Sequence, residues 1–413
     1  MTDNRAYPKV LIYGHSFNNY NGMGITLTNL FAEWPREKIA VMADNIDLRL
    51  CEEIRPCSKY IGSINESKSR LSIKQNHNII TRFRNRLKTF YYKTGLNEIQ
   101  AEKNIAREYL NQAKQFNPDI VFCALGSFVM MKRCEDLMKS LPDSKLVLYI
   151  VDDWVNTKVN TRFCSNLWLK IYDKKFRQLL NTASGLLSIC QYMSDEYLNK
   201  YGYKFYPFHN PVNLNEWNSI SVNPKYPNDV TSLVYMGKIN SDTVSCLKSL
   251  SNIVDELNTE GYHYALDIYS PDYGSQAYLF EKIPSTHVYP PVAHNKVSEV
   301  LKSYSTLFLP LGFSKQSRAY VRLSMPTKLS EYLASHRPIL LYCPEEIALA
   351  RYLKDRECAV LCTDESCSSL KSALIKLHNR DNYIKLIENS SELAQEHDIS
   401  IVRERFRETL NSF

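Results

Sequence analysis

Short apolar runs that do not alternate with polar residues set the tightest limit on how this chain can fold. Lys145-Leu146-Val147-Leu148-Tyr149-Ile150-Val151 is one of them: six consecutive apolar residues behind a lysine, too short for a buried helix and too apolar for a half-exposed strand. Such a segment suits a parallel sheet that helices cover on both faces. Comparable runs stand at Val10–Gly14, Ile39–Ala43, Asp119–Leu125, Gly185–Cys190 and Phe205–Phe208. The pattern starts again at Ser232–Met236 and continues through Tyr264–Tyr269, His287–Tyr289, Thr306–Leu311, Pro338–Tyr342 and Cys358–Leu361. Helical periodicity fills the gaps, as at Asn104–Gln115, Trp168–Leu180, Ser245–Leu257, Lys296–Ser303, Thr327–Ala334 and Ser368–Leu377.

Strand and helix in alternation predict an α/β chain, and 413 residues exceed what one core usually serves. The expected architecture is two Rossmann-like, doubly wound domains facing a cleft, with ligands at the carboxyl ends of the strands. The first domain is expected over 1–208 and the second over 230–395. A polar, proline-bearing linker, 209–229, joins them, and a last helix over 396–413 returns to the first domain.

Composition excludes several classes. The chain is 44% hydrophobic and 23% charged, the balance of a globular protein rather than a disordered one. No apolar run reaches the ~18–20 residues that span a bilayer, and the first residues show no signal-peptide core, so a cytoplasmic location is expected. The eleven cysteines are odd in number, and Cys123, Cys190 and Cys343 lie in apolar strands. Cys358, Cys362 and Cys367 lack paired CxxC spacing. Reduced structural thiols and no metal are the expectation.

The net charge of +7 is local: Ser67–Asn97 contains Lys68, Arg70, Lys74, Arg82, Arg84, Arg86, Lys88 and Lys93 and no acid, which leaves the remaining chain at −1. A helix over Ile79–Lys93 would carry Ile79, Phe83, Leu87, Phe90 and Tyr91 on one stripe, flanked by Arg82, Arg84, Arg86 and Lys88. That pattern suits an anionic membrane surface that presents a lipid-linked acceptor, at the inner face of the membrane. A solvated basic face and a phosphate-rich nucleic acid are the other readings of the same charge, the nucleic acid being the least favoured.

Four motifs sit where strands end. After the first strand comes His15-Ser16-Phe17-Asn18-Asn19-Tyr20-Asn21-Gly22-Met23-Gly24. Its glycines allow a close backbone approach before a helix start, which suits a diphosphate or an acceptor hydroxyl, although the spacing is not GxGxxG. Within this loop His15, Gly22, Met23 and Gly24 are the candidates. Asp152-Asp153-Trp154 ends the fourth run, and either carboxylate there can orient hydroxyls, act as base or stabilise positive charge at an anomeric carbon. Helix capping by Asp153 is the plainer alternative. Gly237 and Lys238 end the first strand of the second domain, where glycine admits a ligand and lysine offers a charge for phosphate.

The densest motif is Leu309-Pro310-Leu311-Gly312-Phe313 followed by Ser324-Met325-Pro326-Thr327-Lys328-Leu329-Ser330-Glu331. Ser324 or Thr327 is expected to cap a helix with Pro326 in its first turn. Glu331 then shares a face with Thr327 and Lys328, so that a carboxylate meets ribose hydroxyls while lysine and helix N–H groups meet the diphosphate.

Taken in order, YIVDDW, YMGK, LPLGF and SMPTKLSEYLA with the following RPI resemble the GT-B glycosyltransferases of the large retaining family that builds bacterial surface polysaccharides. The resemblance spans essentially the whole chain and is closest in the second half. It implies that Glu331 contacts the donor ribose and that Lys238, Thr327 and Lys328 meet the diphosphate of a UDP- or GDP-linked sugar. It implies transfer to a hydroxyl acceptor with retention of configuration, and no tightly bound cofactor. Many members carry a further glutamate eight positions before the ribose glutamate, where this chain has Leu323. The grip on the sugar is then expected from Gly312–Val321, with Lys315, Gln316 and Arg318. A sugar-nucleotide epimerase of the same fold, a transferase acting on nucleic acid and an idle sugar-nucleotide binder are the competing readings.

Overall fold

Continuous burial of whole strands organises the molecule, as the apolar runs require. In the computed structural model, which describes residues 7–65, 90–91, 93–95, 104–155, 163, 165–219, 230–241 and 243–413, thirteen strands form two all-parallel sheets. The first sheet contains β1 (Val10–Tyr13), β2 (Ile39–Asp47), β3 (Lys59–Asn65), β4 (Ile120–Ala124), β5 (Lys145–Ile150), β6 (Gly185–Ser188) and β7 (Tyr206–Pro207), in the order β3-β2-β1-β4-β5-β6-β7. The second contains β8 (Thr231–Met236), β9 (Tyr264–Tyr269), β10 (Thr286–Tyr289), β11 (Thr306–Pro310), β12 (Ile339–Tyr342) and β13 (Ala359–Cys362), in the order β10-β9-β8-β11-β12-β13. Both orders reverse direction beside the first strand, the topological switch point where such sheets bind ligands.

Burial follows position in the sheet. Central β4 and β11 are buried at every residue, whereas β9, next to the edge, alternates buried and part-exposed positions. Helices pack by one stripe each: Ser165–Thr182 buries Trp168, Tyr172, Phe176, Leu179 and Leu180, a 3.6-residue repeat. The polypeptide divides into two compact units, Met1–His209 with Arg403–Phe413, and Asn210–Val402.

In the first unit the last helix, Ile399–Ser412, delivers Phe406 into an aromatic cluster. Its ring stands edge-on to Phe31 at 5.1 Å, to Phe208 at 5.2 Å and to Phe122 at 5.9 Å. Each such contact adds about 0.5–1.5 kcal/mol beyond the area buried.

Two features differ from the sequence expectation. Strand β3 was not anticipated: it is an edge strand, its sequence KYIGSIN has no continuous apolar run, and Gly62 adopts φ +130°. A side chain at Gly62 would strike the Ala43 carbonyl, so the edge is built on glycine rather than on β-branched residues. The stretch 209–229 expected as a linker carries the helix Leu214–Ser219, with Leu214 and Trp217 buried. Residues 220–229 lie outside the described ones, as do Arg82, Arg84, Arg86 and Lys88 and most of the basic segment. Among the described residues no helix is long and apolar enough to cross a membrane, and Cys123, Cys190 and Cys343 are buried.

Candidate functional site

In the second unit, the end of β8 gathers a cation, a carboxylate and a glycine. Gly237 follows the strand, and a Cβ added there would lie 2.8 Å from Lys328 Nζ and 2.7 Å from Tyr235 Oη. Glycine is what lets the lysine reach the strand end. Lys328 Nζ donates to the Met236 carbonyl at 2.8 Å and rests 4.4 Å from the centre of the Tyr235 ring. Burial pulls its pKa down to about 8, and the nearby Glu331 charge offsets part of that fall.

Glu331 lies one turn further on. Burial raises its pKa, while the charges of His294 and Lys328 act in the opposite direction. Its carboxylate has no hydrogen bond or ion pair among the described residues. The side chain is part-exposed, so the carboxylate is open to a ligand, and a titratable group with a raised pKa that the fold leaves without a hydrogen bond is a candidate to bind one.

The helix itself starts later than the sequence suggested. It runs Leu329–Ala334, Lys328 occupies the cap position, and no side chain caps it. Ser324 and Thr327 therefore do not cap it, and Pro326 precedes the first turn, where its carbonyl accepts from Leu329 N at 2.9 Å. Lys328 instead takes helical dihedrals, at φ −71° and ψ −8°, and the preceding proline turn consumes the residues that would have formed another helical turn. The Thr327 carbonyl accepts from Asn210 Nδ2 at 3.1 Å, which ties this turn to the start of the unit.

The other residues expected at the donor side separate. Lys238 is exposed, and its carbonyl accepts from Tyr235 Oη and Thr243 Oγ1. Gly312 is buried beside Phe313, whose ring packs into the core 4.7 Å from Tyr342. Leu323 is buried at 4% exposure, an apolar position with no carboxylate to offer. Arg318 is committed to the fold: it donates to the Phe313 carbonyl at 2.7 Å and pairs with Glu346 at 2.8 Å. Lys315 and Gln316 are exposed. Sequence reasoning missed Tyr235 and His294. Tyr235 stood in the YMGK motif but looked like a strand residue, and nothing near His294 in the sequence signals its approach to Glu331.

In the first unit, Asp153 is 1% exposed and accepts a hydrogen bond from Tyr197 Oη at 3.0 Å. Burial, then Asp153, raises the Tyr197 pKa well above its ordinary value, so that hydroxyl stays a donor. Asp152, beside it, remains part-exposed. The loop after β1 is organised by Asn18, which is 4% exposed. Its amide donates to the Ser16 carbonyl and accepts from Tyr20 N and Asn21 N. Gly24 is obligatory, because a Cβ there would sit 2.0 Å from Asn18 Nδ2. Asn21 caps the helix Gly22–Leu30 by accepting from Gly24 N at 2.8 Å, and Gly22 and Met23 form its first turn. His15 is part-buried, and burial lowers its pKa against the opposing effect of a hydrogen bond with the Ala124 backbone.

No family model matches the chain, and no curated protein matches it by sequence. Solved structures do match over nearly its whole length. HepE of Anabaena in complex with UDP-glucose is similar with a TM-score of 0.66 at 10% identity, over 98% of this chain and 100% of that one. The lipopolysaccharide outer core galactosyltransferase WaaB in its apo form gives 0.60 at 15% identity, over 98% and 99%. A glycosyltransferase from Rickettsia africae gives 0.61 at 9% identity, over 98% and 99%. The chain has the GT-B fold, as the resemblance implied.

Proposed function

We propose that this chain is a glycosyltransferase that moves a sugar from a nucleotide diphosphate sugar to a hydroxyl acceptor. The observation that carries the reading is the part-exposed Glu331 carboxylate, which makes no hydrogen bond among the described residues and whose pKa desolvation raises, set beside the Lys328 amine at the end of β8. Glu331 accepts the two ribose hydroxyls, and Lys328 meets the diphosphate. In the reaction the bond between the anomeric carbon and the diphosphate oxygen breaks. The electron pair leaves with the nucleoside diphosphate, the acceptor oxygen bonds to the anomeric carbon, and its proton is released. Charge grows on the departing diphosphate, and a cation partly withdrawn from water beside it stabilises it more than one in bulk water would.

UDP is the favoured carrier, since the similar HepE structure holds UDP-glucose; GDP is the other one to test. On the acceptor side, the part-exposed Asp152 is the carboxylate available to the reacting centre. Asp153 holds its place through Tyr197. A glycan or lipid-linked sugar of a bacterial surface polysaccharide is the acceptor class that the motif resemblance supports, with retention of configuration.

The test is incubation of the full chain with radiolabelled UDP- and GDP-sugars. Slow release of free sugar from one donor, accelerated by a glycan acceptor, is expected. Interconversion of the sugar on its nucleotide would point to an epimerase, and no turnover with any donor would end the enzymatic reading.

A further inference from the structure

The first unit contains a cavity of about 380 Å³ at the carboxyl ends of β1, β2 and β3, none of whose lining residues belongs to the motifs above. Its size falls within the ~300–1,000 Å³ of small-molecule sites. Two glycines make it possible. Gly14 has φ +92°, and a Cβ on it would lie 2.5 Å from Met130 Cε; Gly62 closes against Ala43. The pairing of β2 with β3 shifts register between Ala43 and Ile46, which opens the strand ends around the space.

Tyr13 points to a ligand. It is 6% exposed, lines this cavity, and has no hydrogen-bond partner for its hydroxyl among the described residues. The hydroxyl is not sealed from solvent, so water in the cavity, or a ligand that displaces it, completes its hydrogen bonding. Among the described residues the charges at the wall balance: Arg133 Nη1 pairs with Asp44 at 2.7 Å, and no other described charged residue lines the space. An anion would meet the Asp44 carboxylate, whereas a neutral ligand meets a balanced ion pair that can both donate and accept. Ser63, Asn104 and Ser127 add further polar groups, and Met42, Ile61 and Met130 add an aliphatic wall.

A rim of donors and acceptors with one apolar wall matches a neutral pyranose ring, whose hydroxyls radiate and whose C–H face is apolar. We infer that this cavity binds a neutral pyranoside unit of the acceptor, with Tyr13 as a specificity-determining donor. Its being the acceptor rests on the transferase reading; occupancy by a neutral sugar does not.

The experiment is saturation-transfer NMR on the full chain with methyl glucosides, galactosides and mannosides, with inorganic phosphate as the anionic arm. Octyl glycosides run beside their methyl counterparts separate a lipid-linked sugar from a free one. At least one methyl pyranoside should bind. Tyr13→Phe should weaken it by about five- to tenfold, the loss of one hydrogen bond. Ala106→Trp, placed at an exposed position on the cavity lining, should remove the signal. Circular dichroism and the unfolding midpoint confirm that each variant is folded. Absence of any pyranoside binding, binding of phosphate alone, or equal affinity in both variants would overturn the assignment. Wild-type donor hydrolysis is scored separately. A chain that hydrolyses a donor but binds no pyranoside loses this site and keeps the transferase reading, and the reverse result does the opposite.

Discussion

At the end of β8, Lys328 and Glu331 are part-exposed and without a matched ion pair, and partial desolvation pulls one pKa down and pushes the other up. At the end of β5, Asp153 is more deeply buried, at 1% exposure, yet Tyr197 donates to it and the fold itself supplies that hydrogen bond. Both places are carboxyl ends of parallel strands, and both offered charged residues in the sequence, one as acids after an apolar run and the other as a lysine and a glutamate at a helix start. The difference lies in whether the fold completes the hydrogen bonding. A satisfied buried acid serves the structure; an unsatisfied one is held ready for something else.

Replacing the ligand-ready acid should have the largest effect. Glu331→Ala should lower kcat/KM for the donor by on the order of 100-fold, the value of about 2–3 kcal/mol for hydrogen bonds to a charged group. The unfolding midpoint should not fall, because no protein partner is stranded. Unchanged donor kinetics would erase the contrast between the two strand ends.

Asp153→Ala should act in the opposite way, lowering stability by about 1–3 kcal/mol because the Tyr197 hydroxyl is left buried without an acceptor. Urea unfolding followed by tyrosine fluorescence measures it. A variant of full stability that has lost transfer would instead make Asp153 a reacting group.

The smallest effect belongs to Lys328. Lys328→Met should raise the donor KM by about tenfold, one charge-assisted contact, and lower the unfolding midpoint by no more than the loss of its hydrogen bond to the Met236 carbonyl. The wild-type profile gives the same information without a substitution. With its pKa at about 8, Lys328 is cationic below that pH and neutral above it, so donor affinity should fall as pH rises through 8. The raised Glu331 pKa makes affinity fall on the acid side as well, sooner than an ordinary glutamate would. A Lys328→Met profile that still breaks near pH 8 would assign that titration elsewhere.

Much of the fold was readable in the residues. Unbroken apolar runs such as Ile120–Ala124 can be covered only by a doubly wound arrangement, and they fixed twelve of the strands to within a few residues. The edge strand β3 was not readable, because its stability comes from Gly62 packing against the Ala43 carbonyl rather than from side chains that announce a strand. At the site, Lys328 and Glu331 were legible from their spacing. The late start of their helix was not, since the turn at Pro326 depends on Asn210 far away in sequence.

Sequence alone determined which residue types stand at the strand ends, because periodicity and glycine placement are properties of neighbours along the chain. Tertiary structure decided which of those residues are finished and which are waiting. Gly237 brings Lys328 Nζ to the end of β8, Tyr197 completes Asp153, Glu346 occupies Arg318, and the Tyr13 hydroxyl is left facing an open cavity. Desolvation and hydrogen-bond completion depend on what arrives from distant segments, and no local pattern encodes that.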